Sequence, residues 1–280
     1  MKRVVKRLFL LAVLAGLGIE AYRYLGEFHM SHEQADVTYA SVQTEAAVHA
    51  EKPETDTVKT TVRPEEKFGL EEFLEKEPSD EEQILLDVQY ICQKPEYPTG
   101  CESVSAVMML RAAGISIDVD TFIDSHLKKG TLVSDGDGTH GPHPDEAFIG
   151  DPRGRGFGCY APVIVSALES AAPDYEVLNE TGKTLEELTD TYIRRGNPVI
   201  IWATINMMET KPGASWKIES TGENFIWKQG EHCLVLIGFD AENYYMADPY
   251  TGKAVTVYEK ELLASRYEEM GMQAVTIVKK

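Results

Sequence analysis

The chain has 280 residues, 43% of them hydrophobic, and its 27 Lys and Arg stand against 46 Asp and Glu for a formal net charge of −19. That balance argues against nucleic acid as a partner, because phosphate contacts need clustered cations. There is material for one large domain or two small ones, and with no repeat of solenoid or propeller period a single core is the simpler expectation.

Residues 1–26 read as a targeting segment. Lys2, Arg3, Lys6 and Arg7 precede an uncharged apolar run over 8–19, which is shorter than the roughly 20 residues of a full span. No small-x-small cleavage site follows, so a signal-anchor is expected ahead of a cleaved signal peptide. The basic end would lie inside, placing the rest of the protein in an extracytoplasmic position, membrane-anchored or secreted. Residues 27–82 are polar and acidic and cannot bury enough apolar surface to offset their ordering entropy, which predicts a disordered tether. Within it, Phe68, Leu70, Phe73 and Leu74 form a short amphipathic piece that either docks on the domain or stays solvated.

A folded domain is expected over 83–280. Alternation over 84–90 predicts a strand. Pro98 and Gly100 then make a tight turn, and Val104, Val107, Met108 and Ala112 recur at helical spacing, which sets Cys101 at a helix N-terminus. Unsatisfied N–H groups and the helix dipole stabilise an anion there, so the thiol pKa should fall below the roughly 8.5 of a free cysteine. The plain alternative is a small apolar residue capping a core helix. A second helix is predicted over 119–127, capped by Asp118 or Asp120. The stretch 130–158, rich in Gly, Asp, His and Pro, is longer than a connector and reads as a functional surface loop.

Metal motifs are weak. Asp135-Gly136-Asp137-Gly138 lacks the spaced oxygens and terminal Glu of a calcium loop. His140 and His143 lie among scattered Cys92, Cys101, Cys159 and Cys233 with no Cys-x-x-Cys pair. Neither a metal nor a cofactor is expected. If Cys101 is a free nucleophile, the four cysteines allow at most one disulfide, and the pair stays open.

Pro162 suits the first position of another helix. Thr184 and Glu187 form a capping box for a helix ending at Gly196. A buried strand over 198–205 is followed by a loop and hairpin over 207–228, whose Trp216 and Trp227 are packing residues or the border of a groove. His232 opens an apolar β-rich run, and the partner strand over 243–247 stops at Asp248-Pro249. A strand over 253–258, a helix over 259–269 and a strand over 274–278 complete the order. A lone strand histidine is usually structural. A cysteine on a helix start, a histidine on a strand and a carboxylate on the next strand is, however, the arrangement of nucleophile, base and orienter.

Four blocks together, Gln93 to Cys101, Gly158-Cys159-Tyr160-Ala161-Pro162, Glu231-His232-Cys233 and Ala247-Asp248-Pro249, resemble stand-alone bacterial relatives of the double-glycine leader peptidases of bacteriocin exporters, which are papain-like. The resemblance runs over about 86–278. It implies an α+β papain-like fold, with a helical half carrying the Cys, an antiparallel β half carrying the His and Asp, and the site between them. It further implies Cys101 as nucleophile, His232 as base, Asp248 as orienter and Gln93 as oxyanion donor, with the Cys159 block lining the site. The exporters also carry an ATP-binding domain, but no phosphate loop is present here, so coupling to export is not implied. The implied function is a thiol hydrolase cutting peptide bonds in a peptide or protein substrate through a thioester. The alternatives are a papain-like cell-wall amidase or acyltransferase, or a non-catalytic peptide-binding protein on the same fold. Oligomeric state stays open.

Overall fold

A computed structural model describes residues 83–280. The predicted targeting segment and acidic tether lie outside the described residues. Among the described residues no helix is long and apolar enough to cross a membrane.

In chain order the elements are β1 (Ile84–Leu85), α1 (Cys101–Ala112), α2 (Val119–Ser125), β2 (Lys129–Gly130), β3 (Val133–Asp135), β4 (Gly138–Gly141), β5 (Phe148–Gly150) and β6 (Gly156–Gly158). Then come α3 (Ala161–Ala171), β7 (Tyr175–Asn179), α4 (Leu185–Thr191), β8 (Val199–Thr204), β9 (Lys211–Ile218), β10 (Asn224–Gln229), β11 (Glu231–Phe239), β12 (Asn243–Ala247), β13 (Thr256–Glu259), α5 (Lys260–Glu269) and β14 (Ala274–Lys279). Seven strands form an antiparallel sheet in the order β13-β12-β11-β8-β14-β7, with β1 added against β11.

The two central strands β8 and β11 are buried along their whole lengths because helices cover both faces of the sheet. The period of two sorts their side chains. Ile200, Trp202, Cys233 and Val235 join the core that contains α1 and α3, while Val199, Ile201, Leu234 and Leu236 join the core that contains α4 and α5. Helix α1 is buried from Cys101 through Leu110, as befits a helix with no polar stripe. This is a papain-like α+β fold, with the cysteine on a central helix and the histidine on the antiparallel sheet that the helix packs against.

Local signals position these elements. The Asp118 carboxylate accepts from the Thr121 N–H, the Thr184–Glu187 capping box is formed, and Gly196 ends its turn at a left-handed φ of 82°. Three expectations change. The strand predicted over 84–90 pairs only at Ile84 and Leu85, where Gly238 of β11 lets the Ile84 carbonyl approach to a point 2.2 Å from where a Cβ would sit. The stretch 130–158, expected as a loop, carries short strands. Its β3 and β4 join β9 and β10 in a four-stranded sheet, and β5 and β6 join β2 in a three-stranded one. Strand β7, at the sheet edge, has no counterpart among the predicted elements. Trp216 and Trp227 pack with Ile149, Tyr160 and Phe225 as a satellite core, so packing is their role in the fold.

Candidate active site

Helix α1 begins at Cys101 because Gly100 gives the turn room. A Cβ on Gly100 would meet the Tyr97 Cβ at 2.9 Å. Ser105, one turn on, donates to the Cys233 carbonyl at 3.2 Å, which clamps this end of α1 onto β11. The start of β11 therefore meets the start of α1, and Glu231 arrives beside Cys101, with His232 next to it on the strand.

The histidine and the aspartate are brought together. His232 Nε2 lies 2.8 Å from Asp248 Oδ1, and each residue is 1% exposed. Asp248 has further donors, the Tyr250 N–H at 2.9 Å on Oδ1 and the Tyr258 hydroxyl at 2.7 Å on Oδ2. Burial pushes this carboxyl up, but the charge and hydrogen bond of His232 together with the Tyr250 and Tyr258 donors outweigh it and hold the group below the usual carboxylate range. Binding Nε2 to the carboxylate leaves Nδ1 as the ring nitrogen for another partner.

Cys101 differs from expectation. No hydrogen bond joins it to His232, and its thiol instead pairs with Glu102 Oε2 at 3.2 Å. Burial, and then the carboxylates of Glu102 and Glu231, push the thiol well above its ordinary range. The expected lowering by the helix start is therefore reversed, because desolvation and two nearby carboxyl groups act more strongly on a buried thiolate than a helix dipole does.

Gln93 is 2% exposed, and its backbone N–H donates to the Pro249 carbonyl at 2.9 Å, tying the segment before Cys101 to the turn after Asp248. Its side-chain Nε2 points to the Tyr97 and Pro98 carbonyls at 3.4 and 3.2 Å, while Oε1 is buried without a partner. The amide expected to serve an oxyanion is thus engaged with the loop in this state.

Two acidic residues were missed from the sequence. Glu102 is fully buried and its Oε1 accepts the Cys159 N–H at 2.6 Å. The Cys159 carbonyl accepts from Trp202 Nε1 at 2.9 Å, so this backbone is held from both sides. Gly158 has a φ of 128°, and a Cβ there would fall 2.5 Å from Glu102 Oε1 and 3.0 Å from Glu231 Oε2. Glu231 Oε1 is buried with no partner. Sγ of Cys101 and one carboxylate oxygen from each of Glu102 and Glu231 lie within 4.8 Å of one another. Burial raises both acids, Glu102 to about 7 and Glu231 well above its ordinary value, the latter raised further by Glu102. The available signal was a charge inside an otherwise apolar helix and another at the mouth of an apolar strand.

The histidines weighed for a metal lie elsewhere. His140 pairs with Asp135 and Glu219, and His143 with Asp145. All four cysteines are free thiols.

The family model described as "Peptidase_C39 like family" matches residues 85–275. Among solved structures, a protein from Bacillus anthracis described as a C39-like peptidase is 29% identical with a TM-score of 0.64, the match covering 71% of this chain and 98% of that one. The peptidase domain of Streptococcus ComA, described as a bifunctional ABC transporter involved in quorum sensing, matches at 13% identity and a TM-score of 0.39, over 71% of this chain and 98% of that one, and nothing is built on that match. No curated protein matches the chain.

Proposed function

Because the chain belongs to the C39-like peptidase family, a bacterial relative of the double-glycine leader peptidases and a cysteine-peptidase kind of protein, we propose that it hydrolyses peptide bonds with Cys101 as nucleophile, His232 as base and Asp248 as orienter. The observation that carries this reading is the buried His232–Asp248 pair at 2.8 Å, on the strand that meets the helix start bearing Cys101. A histidine held at Nε2 by a fixed carboxylate presents Nδ1 to a thiol, and a carboxylate with three donors orients the ring without taking its proton.

Turnover begins when the Cys101 side chain leaves Glu102 and its proton passes to His232 Nδ1. Sγ then adds to the scissile carbonyl, the amine leaves with the proton from His232, and water hydrolyses the thioester with His232 as base. The Cys101 backbone N–H at the helix start and the Gln93 amide, once released from Pro98, are the oxyanion donors, each contributing on the order of 3 kcal/mol. The basic cluster and apolar run over 2–19 support an extracytoplasmic, anchored protein, and a secreted or surface peptide, such as a leader segment, is the substrate that suits that location.

Peptides released by cells carrying the wild type or Cys101→Ala, compared by mass spectrometry, test this reading. Expected is at least one cleavage present only with the wild type, together with labelling of Cys101 by a peptidyl electrophile. His232→Ala should slow turnover on the order of 10²- to 10⁴-fold. Identical peptide profiles with no labelling of Cys101 would overturn the hydrolase.

A further inference from the structure

Glu102 and Glu231 are the least expected feature of the site. Each lies in the core, and their hydrogen bonds do not account for them. The Glu102 oxygens go to the Cys101 thiol and the Cys159 N–H, neither a cation, and Glu231 Oε1 has no partner although the residue is only 7% exposed. A buried acid with no partner is costly to ionise, and a bound cation would remove that cost.

The geometry describes what binds. Three donor atoms, one sulfur and two carboxylate oxygens, lie within 4.8 Å of one another, and the Sγ–Oε2 separation is 3.2 Å. Around a tetrahedral zinc-like ion, with metal–sulfur near 2.3 Å and metal–oxygen near 2.1 Å, neighbouring donors stand about 3.4–3.6 Å apart. The 3.2 Å contact and the 4.8 Å limit of the cluster bracket that spacing. Glu102 is fixed by the Cys159 N–H on Oε1, which orients Oε2 toward the thiol, as an outer-shell donor orients a metal-ligating carboxylate. Gly158 has no Cβ to fill the space in front of both carboxylates. A sulfur donor favours zinc and its neighbours over calcium or magnesium, which prefer oxygen alone.

We propose that Cys101, Glu102 and Glu231 form a site for a zinc-class divalent cation, and that its occupancy holds the thiol away from His232 as a reversible off-state of the enzyme. The regulatory half rests on the hydrolase reading above; the binding half does not. When the ion binds, one metal–sulfur and two metal–oxygen bonds form, and the protons held by the thiol and by the Glu102 and Glu231 carboxyl groups leave to solvent, with no change of oxidation state. The sulfur lone pair that would attack a carbonyl is then committed to the metal. Removal of the ion returns a thiol that can turn to His232.

Cobalt(II) added to the chelator-stripped full-length chain reports on this directly, because a thiolate bound to cobalt gives a near-ultraviolet charge-transfer absorption that carboxylates alone do not. Expected are saturation at one cobalt per chain, displacement by zinc, loss of the band in Cys101→Ser and its retention in Cys92→Ser. Glu231→Gln and Glu102→Gln should each weaken cobalt binding about 10-fold or more, with native circular dichroism retained. Zinc should block iodoacetamide labelling of Cys101, and chelator should restore it. Absence of the thiolate band in a folded chain whose Cys101 labels freely overturns the site, as does equal cobalt affinity in both Gln variants and the wild type. A metal-free chain that cuts no peptide yet gives the cobalt band would refute the hydrolase and leave the metal site standing. An active chain without the band would refute the metal site alone.

Discussion

Asp248 Oδ1 lies 2.8 Å from His232 Nε2, while its other oxygen is held 2.7 Å from the Tyr258 hydroxyl. The carboxyl sits below its ordinary range when folded. An acid lowered in this way adds stability that is fully present above its unfolded pKa of about 3.9 and is lost as pH falls through the folded value. Tyr258→Phe removes one donor, so the folded pKa should rise and acid unfolding should begin at higher pH. The stability cost at neutral pH should be about 1–3 kcal/mol, from an oxygen left unpaired. Thermal melts of the two proteins between pH 3 and 7 measure this, and coincident acid limbs would show that Tyr258 does not support the carboxylate.

Gly158 is a second constraint on the site. Its φ of 128° is one that side-chain-bearing residues rarely adopt, and a Cβ would stand 2.5 Å from Glu102 Oε1. Gly158→Ala should therefore cost on the order of 1–3 kcal/mol from backbone strain, and more from the clash. Shortening the neighbour in Gly158→Ala/Glu102→Ala should recover only the clash component. Urea denaturation of both single variants and the double variant gives the coupling, and strictly additive losses would mean that the two residues do not touch.

The family-defining parts were readable in the sequence because each rests on local chemistry. Turn residues before an apolar helical spacing marked α1, a capping box marked α4, and a β-rich run opened by His232 and followed by Asp248-Pro249 marked the hairpin that joins β11 to β12. What the sequence hid depends on tertiary contact. The strands of 130–158 are two to four residues long, too short to leave a period. The surroundings of Cys101 come in part from Glu231, 130 positions away by the numbering and adjacent because α1 packs against β11, where Ser105 also bonds the Cys233 carbonyl. A helix start is a local feature, and the carboxylates that outweigh it are not.

Glu231 should give the protein an unusual alkaline cost. Its unfolded pKa is near 4.3, and burial and Glu102 raise the folded value well above that. The folded state thus keeps a proton that the unfolded state has lost, and stability falls as pH rises from about 4 toward the folded pKa. Glu231→Gln has no proton to lose. In the presence of chelator its melting temperature relative to wild type should rise by a few degrees between pH 4 and pH 8, about 2–4 °C for each kcal/mol in a domain of this size. A difference that stays the same across that range would show that Glu231 ionises freely in the folded protein.

The thiol itself gives the sharpest test. Cys101 sits at a helix start, yet burial and the acids Glu102 and Glu231 hold its pKa up. In chelator-treated, substrate-free protein, iodoacetamide should modify Cys101 slowly at pH 7 and faster as pH rises, with a midpoint above the ordinary thiol range. Glu102→Gln removes one negative neighbour while its side-chain oxygen can still accept from the Cys159 N–H, so the fold should survive. The alkylation midpoint of Cys101 should then move down, with a rate gain of about 10-fold at neutral pH for each pKa unit relieved. His232→Ala should have the smaller effect in this resting state, because the thiol is paired with Glu102 and not with the imidazole. Rate-versus-pH profiles with mass-spectrometric assignment of the modified cysteine separate these outcomes. If Cys101 already reacts fast at pH 7, and Glu102→Gln leaves its midpoint where it was while His232→Ala raises it, the thiol rests against His232 and the acidic pair does not govern it.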